Sequence, residues 1–123
     1  VRNKSTLFFL AISWTVLITF LSLVTIGSFG SNIPIPNKDK IIHVVLYFGF
    51  VVLWILYKNK SNYTKKTGIA ILFIAIGYGI LMEVLQYFTA TRSPDFYDVL
   101  ANSSGALLGL LFTNKFFLNK RQL

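Results

Sequence analysis

Four long apolar runs divide this chain, at about 6–27, 41–57, 68–88 and 96–113. Runs of this kind constrain a fold more than any other feature, because they leave no face that water can solvate. A helix needs about 20 residues to cross a hydrocarbon core about 30 Å thick, and as few as about 17 suffice. With Lys40 and Asp95 taken as interfacial residues, the expected spans are about 6–27, 40–57, 68–88 and 95–113. Nearly all of the 123 residues are then span, so a single integral membrane domain over 1–123 is expected. Composition agrees: 13% of residues are charged and 54% hydrophobic, where a soluble domain carries about a quarter charged residues. The expected fold class is all-α, a four-transmembrane-helix bundle.

The net charge of +8 does not point to nucleic acid, because the cations sit in short segments between the runs. Arg2 and Lys4 precede the first run. Lys58, Lys60, Lys65 and Lys66 lie between the second and third, and Lys115, Lys120 and Arg121 follow the fourth. Lys38, Lys40 and Arg92 belong to the other side. The asymmetry predicts both termini and the central loop in the cytoplasm, an N-in/C-in arrangement. Arg2 and Lys4 before an apolar run also resemble a signal peptide, but the run is longer than an h-region and "TIGSFGSN" is a weak cleavage site. An uncleaved anchor is expected. The chain has no cysteine, which excludes disulfides, thiolate metal sites and cysteine nucleophiles.

The first run has Ser13, Thr15 and Thr19 as its notable polar groups. Hydroxyls there usually bond their own helix or a neighbour, so this span reads as an anchor and packing element. In the second run Lys40, His43 and Tyr47 are spaced i, i+3, i+7 and share a face. Trp54 and Tyr57 sit at its far end, where aromatic belts lie. The third run carries Glu83 and Gln86 one turn apart, with Glu83 about 7 Å below the boundary at 1.5 Å per residue. "TATRSP" follows, with Ser93 suited to an N-cap and Pro94 to a first helical position. In the fourth run Asp95, Asp98, Asn102, Gly105 and Gly109 form one stripe, and Gly105-x-x-x-Gly109 permits close helix approach.

The predicted topology brings His43, Glu83, Gln86, Arg92, Asp95, Asp98 and Asn102 to one membrane face, the outer one. An ionised carboxylate in lipid costs at least about 2.5 kcal/mol near the centre, so Glu83 and Asp98 need partners. Arg92 can grip a carboxylate with two parallel hydrogen bonds, and His43 can join neutral or protonated. Simpler roles stand beside these. Arg92 and Asp95 equally serve to cap and orient the fourth helix, Lys40 can snorkel to the interface, and the glycines suit packing. Glu83 is the hardest to reduce to structure, because an ionisable residue within a span is a functional-site candidate by default.

The ordered set in "DKIIHVVLY" and "EVLQYFTATRSPDFYDVLANSSGALLG" resembles the VanZ-like family of small bacterial membrane proteins, named for a factor associated with teicoplanin resistance. The resemblance covers roughly 38–112. It implies a four-span cell-envelope protein whose polar motif forms a shared site, and it supplies no catalytic assignment. Pro94 departs from the bulkier residues of relatives, which bears on loop shape.

Two functions follow. In the first, an outer-leaflet site binds or modifies a lipid-linked or cell-wall component. His43, Glu83 and Asp98 do the acid–base work, and Lys40, Tyr47, Gln86, Arg92, Asp95 and Asn102 hold the substrate. A divalent cation held by Asp95, Asp98 and Glu83 is a variant of this reading. In the second, a non-enzymatic scaffold uses the same cluster to hold its helices together. A transporter is disfavoured, since no charge lies in the inner half of a span. The expected partners are membrane lipid and a lipid-linked or cell-wall component, with no nucleic acid, at the cell membrane.

Overall fold

The computed structural model describes residues 3–23, 38–59, 64–89 and 96–116. They form four helices: α1 (Lys4–Leu23), α2 (Lys38–Asn59), α3 (Lys65–Thr89) and α4 (Phe96–Phe116). Two starts are set by side-chain caps. The Thr6 N–H donates to Asn3 Oδ1 at 2.8 Å, and the Thr67 N–H to Thr64 Oγ1 at 3.3 Å, each satisfying a donor that a helix end leaves open. The Ser93–Pro94 start expected for α4 lies outside the described residues.

Three segments, Lys4–Ser22, Lys40–Lys58 and Lys65–Leu85, are long and apolar enough to cross a membrane. The fourth helix has 21 residues, about 31 Å at 1.5 Å per residue. Its length suffices, but Asp98, Asn102, Ser103, Ser104 and Asn114 keep its hydropathy below that of the others. Of the four helices expected, all four form, and three are long and apolar enough to cross a membrane.

Contacts along the helices fix their directions. The Lys4 ammonium lies 5.4 Å above the Tyr57 ring, and Trp14 donates to the Leu46 carbonyl at 2.7 Å, so α1 and α2 run antiparallel. Helices α2 and α4 run parallel, since Lys40 meets Asp98, His43 meets Asn102 and Phe48 meets Phe112. Helix α2 is the centre of the bundle and buries Leu46, Tyr47, Phe50, Val51 and Ile55. Its broadest interface is with α4. Apolar side chains such as Phe9, Val16, Phe20, Phe73 and Leu108 face outward. So large an apolar surface is costly in water and suited to hydrocarbon.

Glycine makes the α2–α4 contact. A Cβ on Gly105 would collide with the Val44 main chain, and one on Gly109 would lie 2.8 Å from the Phe48 carbonyl oxygen. The small-residue spacing thus lets the two backbones touch. On α1 the hydroxyls bond as expected. Thr15 donates to the Ala11 carbonyl at 2.8 Å and Thr19 to the Thr15 carbonyl at 3.0 Å. Thr15 Oγ1 also accepts from Trp54 Nε1 at 3.1 Å, so this indole turns into the bundle as well as lying near its end.

Candidate functional site

The polar residues gather where the first turns of α2 and α4 meet the last turns of α3. Lys40 Nζ lies 2.8 Å from Asp98 Oδ1, with the lysine 26% exposed and the aspartate 2%. Lys40 therefore reaches toward solvent and pairs with a buried carboxylate at once. His43 stands between two groups of α4. Its Nδ1 is 2.8 Å from Asn102 Oδ1, and its Nε2 is 3.6 Å from Asp98 Oδ2. The first is a hydrogen bond and the second is slightly too long for one. The two ring nitrogens are not equivalent: an amide fixes one and the other faces a carboxylate.

The local sequence explains how this set comes together. Lys40 and His43 lie on the face of α2 that meets α4, and Asp98 and Asn102 lie one turn apart on α4 above Gly105 and Gly109. Since those glycines bring the backbones into contact, the side chains above them have little choice of depth. Helix α3 contributes from the other side. A Cβ on Gly79 would sit 2.8 Å from Asn102 Nδ2, so the glycine makes room for the amide. One turn later Glu83 is buried, 6% exposed. It is close enough to the Tyr47 phenol for the two to interact electrostatically, as is Tyr78. The Tyr47 ring is fully buried, and its hydroxyl has no hydrogen-bond partner among the described residues. Leaving such a group unmet costs about 1–3 kcal/mol.

Of the residues singled out from sequence, the structure brings Lys40, His43, Asp98 and Asn102 into direct contact. Glu83 and Tyr47 are buried beside them. Arg92 and Asp95 lie outside the described residues, as does the side chain of Gln86. Among the described residues, no group of three His, Asp or Glu side chains is placed to hold a metal ion. Asp95, which the cation variant requires, is not among them. Gly79 was missed as a site residue. Its signal was available in the sequence, since it precedes Glu83 by four residues and shares its helical face.

Chemically, the arrangement divides the carboxylates. Asp98 has a cation on one oxygen and the His43 imidazole 3.6 Å from the other, so it sets a negative charge across from a ring that Asn102 holds. Glu83, on a different helix, is buried within electrostatic range of the Tyr47 phenol.

Fold and polar end together define a small helical membrane protein with ionisable side chains buried at one end of its bundle. The chain belongs to the VanZ/LLP1 family, whose model matches residues 4–118. It is also similar to the uncharacterized protein C11E3.10 of Schizosaccharomyces pombe, with 31% identity over 106 residues, 82% of this chain. The match spans 64% of that curated relative's length. Likeness to this chain is therefore not confined to bacteria. No solved structure matches it.

Proposed function

We propose that the chain crosses the membrane four times with both termini in the cytoplasm, and that its polar end opens to the extracytoplasmic side. There it receives the headgroup of a membrane lipid or a lipid-linked envelope component. The observation that carries this reading is the burial of His43, Glu83 and Asp98 within helices whose outer faces are apolar. Packing alone does not call for such a cluster, because Gly105 and Gly109 already join α2 to α4. Buried ion pairs are weak sources of stability. Asn102 lies six residues into α4, about 9 Å along its axis, a depth that a lipid headgroup reaches more readily than a wall polymer. In this reading Glu83 is the base and His43 its acid–base partner. Asn102 positions His43, Asp98 sets a negative charge across from its Nε2, and Lys40 meets an anionic group.

The test is purification of the chain from membranes, with mass spectrometry of what accompanies it. One lipid species enriched over the bulk membrane, and lost in Glu83→Gln and His43→Ala variants that accumulate normally, is the expected result. Poor accumulation of every variant, with nothing enriched, sinks it. An effect on teicoplanin belongs to the same reading: expression is expected to lower susceptibility, and Glu83→Gln to restore it. The chain contains no cysteine, so sidedness can be read from single additions. Asn37→Cys is expected to label from outside the cell and Ser61→Cys only after permeabilisation.

The 2.8 Å contact between Lys40 and Asp98 favours a second reading. A pair that closes on itself between α2 and α4 can act as a clamp in a non-enzymatic membrane scaffold. The accumulation of the variants separates the two.

A further inference from the structure

At the end of the bundle away from His43 and Asp98, α1, α2 and α3 line a groove of about 440 Å³. Thr15, Phe50, Trp54, Ile71 and Tyr78 form its walls, and Lys58 lines its exposed end. From Phe50 to Lys58 it follows α2 for about 12 Å at 1.5 Å per residue.

The polar side-chain atoms of Thr15, Trp54 and Tyr78 are already hydrogen-bonded within the protein. The Trp54 N–H donates to Thr15 Oγ1, Thr15 donates to the Ala11 carbonyl, and the Tyr78 hydroxyl pairs with that of Thr19. What remains is aromatic and aliphatic surface. The Phe50 and Tyr78 rings stack at 12°, and Trp54 meets Tyr57 edge-on at 85°. A water in such a space would need two to four polar partners, and a hydrogen-bonding ligand would need the same. Hydrocarbon needs neither.

The exposed end is as one-sided in charge as the walls are apolar. Lys58 is there, and Lys4 lies 5.4 Å over the ring of Tyr57, which also lines the groove. Lys65 and Lys66 begin α3 at the same end. All four acidic residues, Asp39, Glu83, Asp95 and Asp98, fall at or beside the helix ends that make the opposite face. An anionic headgroup at this end meets a cluster of cations.

We infer that this groove binds an anionic glycerophospholipid. One acyl chain lies along Phe50, Trp54 and Tyr78, and Lys58 and Lys4 meet the phosphate. The site is separate from the polar end and does not depend on the function proposed there.

The two tryptophans allow a direct test. Trp54 lines the groove, whereas Trp14 bonds the Leu46 carbonyl and lies against Gly49. The full chain carrying Trp14→Phe is reconstituted in phosphatidylcholine vesicles. Brominated-chain phosphatidylglycerol or brominated-chain phosphatidylcholine is then titrated in, since bromine quenches indole fluorescence at contact. Half-maximal quenching of Trp54 is expected at a several-fold lower mole fraction of the brominated phosphatidylglycerol. Lys58→Gln together with Lys4→Gln is expected to remove that preference. Equal quenching by the two lipids overturns the proposal, and so does a preference that survives loss of both lysines. If Trp14→Phe fails to accumulate, the same titration is read as the difference between the native chain and Trp54→Phe.

Discussion

The two sides of α2 are packed on opposite rules. Toward α4 it offers main chain to main chain, with Gly105 against Val44 and Gly109 against Phe48. Toward α1 it offers a glycine to a ring, with Gly49 lying against the indole of Trp14. The first seam admits no slack, and the polar cluster of Lys40, His43, Asp98 and Asn102 sits directly above it. The second side is built from rings and hydroxyls and leaves a groove of about 440 Å³. The difference teaches where precision lies. Touching backbones set the relative height of two helices within a fraction of an ångström, which a charged cluster requires, while rings can slide and still bury their area.

Gly105→Ala should break this contrast most severely. Its methyl group would meet the main-chain oxygen, carbon and Cα of Val44, none of which can turn aside as a side chain can. Overpacking typically costs about 1–3 kcal/mol, and a main-chain obstacle belongs at about 3 kcal/mol or above. Unfolding in detergent, followed by circular dichroism, measures it. A wild-type midpoint for this variant would mean that the seam is looser than the glycines imply.

Asp98→Ala should come next. Removing one partner of a buried pair costs about 3–5 kcal/mol. Lys40 is 26% exposed and recovers hydration, so about 2 kcal/mol is expected. A double-mutant cycle with Lys40→Met isolates the pair, with a coupling of about 1 kcal/mol or more anticipated. Zero coupling would leave the cluster's geometry without energetic content and weaken the link between seam and site.

The sequence made the polar end legible because few residue types carry its information. A chain with four acids and one histidine, spaced at helical periods, leaves few ways to group them. The stripe of Asp98, Asn102, Gly105 and Gly109 meets α2 as its spacing required. Which helix would receive the stripe was not legible, since a face has a direction but no address. The groove was also invisible, because it arises from what three helices fail to fill. The lower hydropathy of α4 has a simpler reason. Its Asn and Ser residues suit a helix packed against others, and they lower its hydropathy below that of a lipid-exposed span.

Two further glycines carry the comparison to its small end. A Cβ on Gly49 would lie 2.6 Å from Cε2 and Cζ2 of Trp14. The obstacle is a ring at the end of a partly buried side chain, so Gly49→Ala is expected to cost only about 1 kcal/mol, with some strain on the 2.7 Å bond from Trp14 to Leu46. Gly77 has nothing within 4 Å of an added Cβ and lies on the exposed face of α3. Alanine there fills open space and favours the helix by up to about 1 kcal/mol. Gly77→Ala should therefore be neutral or slightly stabilising in the same unfolding assay. The ranking Gly105, Gly49, Gly77 tests whether obstacle type, and not glycine itself, sets the cost. If Gly77→Ala destabilises as strongly as Gly105→Ala, that face of α3 is covered by something in the membrane, and the outward surface of the bundle must be redrawn.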